Sequence, residues 1–594
     1  MNLLTQLHSG RLDASDKNVA KIARFLGTEF RISALDTADI NLESGQSRAA
    51  CDCFMASADT LVRVLRSEDK GASGLASLAG RARLFLVYGF RPELGHGELL
   101  QQITGGAVTG LEPAKAGAKY EVPGGTREWT GQFAGLEFGS VDPAIDAVFV
   151  SGASDLTGIL VRAGGQPLVV LVQWRGCQWL LAGAQAVADL DSVVRPGDSV
   201  LGLFSSLVPV MMFLRRALGD HLWHTPQPRA CFVLDDPPLW PRYGFFRYDA
   251  LLRTMKQSGF STSIAFIPWN YRRSQRGVAD SFVRNADHYS LCVHGCDHTA
   301  GEFGGTDLEM LRQRCQTALD RMERHRHLSG VGFDAVMVFP QGLFSSTAMR
   351  ALRSTGFLAA VNSTPFAVDD PAAGLPLSEL LDVAVLRYDN LPLFLRRYPR
   401  SVADVAFDLF VGKPALIVEH HGYFRNGCGP LCEFVERLNA VEERLQWTSL
   451  GAICSRVCQQ RRRPGGGSQV RFYTDRFEFR HVGAEAEHYE LSRSFSPEEP
   501  LVGVRINGQP ADYQRDHHGL RLELTLAPGQ TVQVRVERES PPRVPVSFDR
   551  DAIANGRVML RRMLCEFRDN YVERSVLLTR AMGKARRLVR FHRG

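Results

Sequence analysis

Three short segments carry side chains able to bind a metal or move a proton. CFVLDD ends in Asp235 and Asp236, HYSLCVHGCDH contains His294 and His298, and ALIVEHH ends in His420 and His421. The histidines of HGCDH are four residues apart, so on a helical turn they would face one side and could share a divalent cation, with a carboxylate as third ligand. Two histidines and one carboxylate leave positions open for water and substrate. Water on such a cation is acidified toward neutrality and a bound carbonyl is polarised, which is the chemistry of amide or ester hydrolysis. The spare aspartate can accept the water's proton, and a histidine on the opposite side can protonate the leaving amine. Each motif has an ordinary alternative: Asp-Asp-Pro-Pro as a turn or helix cap, and the histidines as solvated pairs. Glycosidic-bond cleavage would need two carboxylates flanking a bond, and Asp235 and Asp236 are adjacent on one strand.

The elements that must hold these residues repeat from about residue 225 to 460. Apolar strands ending in polar residues (CFVLDD, STSIAFIP, HYSLCVHG, DAVMVFP, FLAAVNS, VAVLRYD, ALIVEHH) alternate with helices, among them Tyr248 to Ser258 and Leu308 to His325. This is how a (β/α) barrel reads along the chain, with function-bearing residues at the C-terminal strand ends.

The Asp-Asp strand end, the His-x-x-x-His turn and the late strand ending in histidine together resemble the polysaccharide deacetylase superfamily (NodB homology, carbohydrate esterase family 4) over residues 225–460. The resemblance implies an irregular (β/α)₇ barrel, with Asp235 as general base, Asp236, His294 and His298 as metal ligands and His420 as general acid. It also implies removal of an N-acetyl group from a hexosamine with a divalent metal, zinc first, with Co²⁺ or Ni²⁺ as alternatives. IVEH fits the superfamily's apolar-apolar-x-His pattern and favours His420 over His421 as the acid. The chain departs from the pattern at VFPQG, Val338 to Gly342, where the superfamily commonly has Arg-Pro-Pro-Tyr-Gly, so the arginine that pairs with the base aspartate is missing. The backbone amide of Gln341 could still donate to an oxyanion, and Arg242 or Arg247 could replace the missing cation. Trp240, Tyr243, Trp269, Tyr271 and Tyr388 are candidate substrate-binding residues, set against a plain packing role. The missing arginine also supports a second reading, a non-catalytic glycan-binding or assembly protein of exopolysaccharide biosynthesis with a degraded site.

The 594 residues exceed what one core serves, and 44% hydrophobic with 23% charged residues is ordinary globular usage. Residues 1–222 alternate strand and helix patterns, as in an open, mostly parallel α/β sandwich of flavodoxin or amidotransferase type. That region has no GxGxxG, no P-loop and no nucleophile elbow around Cys51 or Cys53, so a non-catalytic role is expected. RRRPGGGS (461–468) reads as a linker and residues 468–542 as a small β-sandwich. A helix follows over 551–592, with Met559, Met563, Phe567, Tyr571, Leu578, Met582, Ala585 and Val589 on one face and Arg580, Lys584, Arg586, Arg587, Arg590 and Arg593 near its end.

Eleven of the Arg/Lys residues, against three acids, fall between Arg557 and Gly594, so the net charge of +6 belongs to the tail. This argues against a nucleic-acid-binding face. It leaves peripheral contact of the basic helix with an anionic membrane or a membrane-bound synthase as the electrostatic partner to consider, against a helix packed on the body. The twelve cysteines form no CxxC pair and read as reduced thiols. The start of the chain lacks a basic segment followed by an apolar run, and no stretch of about 18 apolar residues is found. A cytoplasmic protein, peripheral to the inner membrane if the basic helix binds there, is expected.

Overall fold

The computed structural model describes residues 4–10, 12–34, 52–67, 71–152, 156–370, 372–495, 501–517, 519–539 and 552–575. The chain forms two compact units. One comprises residues 1–224, 375–381 and 459–469, and the other residues 225–374, 382–458 and 470–594.

In the first unit five parallel strands lie in the order Arg31–Ala34, Leu4–His8, Asp52–Ser57, Ala82–Tyr88, Cys177–Ala182. The sheet then continues antiparallel through Gln166–Trp174, Ile159–Ala163, Tyr120–Glu121 and Glu137–Phe138. The sheet is therefore mixed where a mostly parallel one was expected. The cause is local: Gly164-Gly165 and Arg175-Gly176 have positive φ at both positions, the backbone that a two-residue hairpin turn requires. The apolar helix Phe204–Leu218, with Pro209 inside it, is buried nearly throughout. Val200–His221 is long and apolar enough to cross a membrane by length and composition, and 72% of its apolar window is buried inside the fold.

The second unit is built on seven parallel strands: β1 (Arg229–Asp235), β2 (Thr262–Phe266), β3 (Tyr289–His294), β4 (Asp334–Val338), β5 (Ala359–Asn362), β6 (Leu393–Leu395) and β7 (Ala415–Glu419). They are ordered β6-β5-β4-β3-β2-β1-β7. Just past β6, Arg397 exchanges backbone hydrogen bonds with Leu416 and Val418 of β7 at 2.8 and 2.9 Å, which closes the barrel. Cys231, Val233, Ala265, Val336, Val361 and Phe394 belong to a buried apolar cluster of this unit. The expected strand VAVLRYD is not one. Val383–Val385 is buried but irregular, Asp389 and Asn390 turn back at positive φ, and the barrel strand is the following LFL.

The same unit includes a β-sandwich around Phe472, Phe477, Tyr489, Leu522 and Val534. One of its sheets contains Arg476–Arg480, Thr531–Arg538 and Leu501–Ile506 side by side. The C-terminal helix runs Ala552–Phe567 and widens into a π-turn over Arg568–Val572. Leu578, Met582, Ala585 and Val589, and the basic residues from Arg580 onward, lie outside the described residues, as does Cys51. The described cysteines are free thiols.

Candidate functional site

Asp235 closes β1 and Asp236 follows at φ +84, a left-handed backbone that turns its carboxylate toward β3. His294 ends β3. Its Nδ1 lies 2.9 Å from the carbonyl of Val338; since a carbonyl only accepts, Nδ1 carries the proton and Nε2 keeps its lone pair. That Nε2 is 3.4 Å, and the Nε2 of His298 3.1 Å, from Oδ1 of Asp236. The three donor atoms lie within 4.8 Å of one another. A tetrahedral ion with bonds of about 2.0–2.1 Å separates its ligands by roughly 3.3 Å, so the set fits a zinc-sized cation. Oδ1 of Asp236 is also buried without a hydrogen bond, a cost that a cation would remove.

His298 reaches this point from an irregular loop, at φ +58, and the expected helical turn is absent. The loop closes on Glu302, 4% exposed, which sequence reasoning missed. Its Oε1 accepts the amides of Cys296 and His298 at 3.0 and 3.2 Å, and its Oε2 those of Asp297 and Thr299 at 3.1 and 3.4 Å. Gly295, at φ +66, is required there: a Cβ would come within 2.0 Å of Glu302 and 2.4 Å of Pro340. Arg321, from the helix Leu308–Ser329, pairs with Asp297 and stacks on Trp269. The loop is therefore braced from both sides.

The cation missing from VFPQG is supplied by Arg396, one residue past β6. Its two terminal nitrogens each donate to one oxygen of Asp235 at 2.7 Å, and both residues are buried. Burial alone would raise the Asp235 pKa; the Arg396 charge reverses this and leaves it lowered. Arg242 and Arg247 do not fill the place: both are exposed, Arg247 pairs with Asp249, and Arg242 donates to the carbonyl of Gly244. Arg396 went unseen because the misassigned VAVLRYD strand put the rim at residue 389.

His420 and His421 part company. His420 Nε2 is 3.8 Å from Oδ2 of Asp235 and its side chain is 44% exposed. His421 is buried, edge-on to Tyr243, with Nε2 3.5 Å from Asp569. His421, Asp569 and Glu573 form a second cluster of potential metal ligands. There, however, Asp569 already accepts from Arg568 at 2.7 Å and from Tyr243 at 2.5 Å, so it is an ion-pair network. Gln341 sits at φ +59 in the turn after β4; the hydrogen bonds Gly342 to Phe339 and Leu343 to Pro340 close that turn without its amide. Asn362 braces the turn by donating to the carbonyl of Gly342 at 2.9 Å.

Of the aromatic candidates, Trp240 and Trp269 are half-buried, with Arg273 and Arg321 over their rings, and Tyr271 is half-buried with Arg272 over its ring. Trp269 is tied to the histidine loop by its amide, which donates to the carbonyl of Cys296 at 3.1 Å. Tyr243, at 1% exposure, offers no face to a sugar. Tyr388 lines a separate cavity of about 1070 Å³ whose walls include none of the triad, and its hydroxyl donates to the carbonyl of Pro365.

No family model matches the chain, and no curated protein matches it. Among solved structures, Agd3, a carbohydrate deacetylase, is matched with TM-score 0.46 and 10% identity over 90% of this chain and 98% of that one. The family 4 carbohydrate esterase of Streptomyces lividans is matched with TM-score 0.24 and 12% identity over 38% of this chain and 94% of that one. A family 4 pseudoenzyme of Bacillus anthracis is matched with TM-score 0.23 and 9% identity over 38% and 64% respectively. The structures it is similar to are carbohydrate deacetylases and family 4 members.

Proposed function

We propose that this chain is a polysaccharide deacetylase-type hydrolase that uses a divalent metal to remove an N-acetyl or other acyl group from an amino sugar in a polysaccharide or lipid-linked glycan. One observation carries the reading: Oδ1 of Asp236, buried and without a hydrogen bond, faces the Nε2 atoms of His294 and His298 beside a second carboxylate kept ionised by Arg396. Asp236, His294 and His298 would hold a divalent cation there, and it would acidify a water and polarise the acyl carbonyl.

The chain's own groups do the rest. Asp235 takes the proton of the attacking water. Arg396 keeps that carboxylate charged and aimed, leaving it acceptor capacity beyond the two bonds it receives. His420, half-exposed next to Asp235, protonates the departing amine. The Gln341 amide donates to the oxygen on which negative charge develops. Trp240, Trp269 and Tyr271 give the rim its sugar-facing surface.

A degraded glycan-binding site was the alternative because the base aspartate lacked its arginine, and Arg396 removes that ground. The test is acetate release from N-acetylglucosamine oligomers. It should disappear with a chelator, return on adding zinc, cobalt or nickel, and be absent in His294→Ala. Equal inactivity of stripped and metal-loaded protein on a broad panel of acetylated sugars would sink the reading.

A further inference from the structure

A cavity of about 520 Å³ opens between the loop that follows Asp236 and the C-terminal helix. Its walls include Trp240 and Arg242, four and six residues after Asp236, and Phe567, Tyr571 and Arg574 from the helix. This is the size range of small-molecule sites.

The helix side is held rigidly. Glu566 takes both terminal nitrogens of Arg273 at 2.6 and 2.9 Å, Asp569 accepts the Tyr243 hydroxyl at 2.5 Å, and the Asn570 side chain accepts the Gly244 amide at 2.8 Å. A π-turn at Arg568–Val572 makes Asp569 and Asn570 face the loop, and such turns are frequent at functional sites. With its polar groups spent on anchoring, the helix still presents two stacked rings outward. Phe567 and Tyr571 have centroids 5.5 Å apart at 29° and are 55% and 64% exposed.

The charge of the cavity is one-sided. Its acid, Glu566, is neutralised by Arg273, whereas Arg242 and Arg574 have no acidic partner among the described residues. Both line this one cavity, and after burial the charge of Arg574 is the main reason the Arg242 guanidinium is held below its ordinary range. Two guanidinium groups kept near one another beside an open aromatic platform call for an anion joined to a ring.

We propose that this cavity is a binding subsite for an anionic hexopyranose, a uronic acid residue of the polymer neighbouring the acetylated sugar. The pyranose ring rests on Phe567 and Tyr571, and its carboxylate lies between Arg242 and Arg574. The proposal builds on the deacetylase reading, since it places the polymer across the barrel rim, but it is tested by binding alone.

The full chain is titrated calorimetrically with a hyaluronan hexasaccharide, which alternates N-acetylglucosamine with glucuronate, and with chitohexaose, its neutral counterpart. The uronate oligomer should bind about tenfold tighter at low salt, with the advantage shrinking as salt rises. Arg574→Ala and Tyr571→Ala should each erase most of that advantage while zinc uptake stays intact, and Arg247→Ala, on the Asp249 pair, should keep it. Equal affinity for the two oligomers, or an advantage that survives Arg574→Ala and the Arg242→Ala/Arg574→Ala pair, overturns the subsite. So does displacement of the hexasaccharide by phosphatidylserine vesicles through the same residues, which would assign the cavity to a lipid surface. The two readings fail separately. Uronate binding through Tyr571 without acetate release from any oligomer keeps the subsite and loses the deacetylase; acetate release without a uronate preference does the reverse.

Discussion

A buried carboxylate that receives four backbone amides fixes a loop through charge-assisted hydrogen bonds, and Glu302 does this for the loop that carries His298. Its oxygens are taken up by those amides, so it sets where one imidazole points. Glu302→Ala should therefore weaken zinc binding by about 10–100-fold, as loss of a supporting group does at metal sites, measured by competition with a chromophoric chelator. Unchanged zinc affinity would mean that the loop holds its shape unaided. Arg396 acts at the same scale on Asp235. Arg396→Met keeps the volume but strands a buried carboxylate, so unfolding in urea should be easier by about 3–5 kcal/mol and acetate release should collapse. A variant of full stability would show that Asp235 finds another partner or takes up a proton at no cost.

Elements were legible in the sequence where one periodicity governs them. The apolar runs of β1, β3 and β7 end on, or one residue before, the residues that meet at the rim, because a buried parallel strand must be apolar until it leaves the barrel. Legibility failed where long-range contacts decide. VAVLRYD has a strand's composition, but its residues fill space beside the barrel and LFL takes the ladder, which hid Arg396. HGCDH has helical spacing, yet Glu302 collects its amides into a loop, and an acid a few residues after a histidine carries no pattern that reveals this. In the first region the hairpin turns that reverse the sheet were legible only as glycines.

The helix Leu308–Ser329 hides a further group. His325 is fully buried against Phe266, with Nε2 2.7 Å from the Ser274 hydroxyl, and burial pushes its pKa down to about 4. In the unfolded chain it titrates near 6.5. Between these values the unfolded state binds the extra proton, so the contribution is complete above about pH 6.5 and is lost as pH falls toward 4. The shift corresponds to about 3 kcal/mol. His325→Gln keeps a hydrogen-bonding group without the titration. Its urea-unfolding free energy should fall less between pH 7.5 and 4 than that of the unsubstituted protein; parallel losses would refute the assignment.

At the scale of the molecule, chain order and compact units do not coincide. The first unit takes in residues 375–381 and 459–469, through pairing of Val193–Val194 with Leu375–Pro376 and of His224 with Gln460. Boundaries drawn from linker composition miss such returns, because composition marks exposure and not partnership. The second unit is completed from its far end. The barrel alone supplies Asp236, His294 and His298, whereas the loop leaving Asp236 is clasped by the C-terminal helix at Tyr243, Gly244 and, through β2's following loop, Arg273. Removing residues 552–594 should therefore leave zinc uptake close to normal and lower kcat/KM for acetate release by about 100-fold, the cost of misplacing catalytic groups by about an ångström. Zinc content and acetate release measured on the same sample separate the outcomes. If both fall together the helix is a general support of the barrel, and if neither falls the loop holds its own shape. A selective loss of turnover marks the helix as a wall of the active site, and Glu566→Ala, which cuts only the Arg273 bond, should then reproduce a smaller part of it.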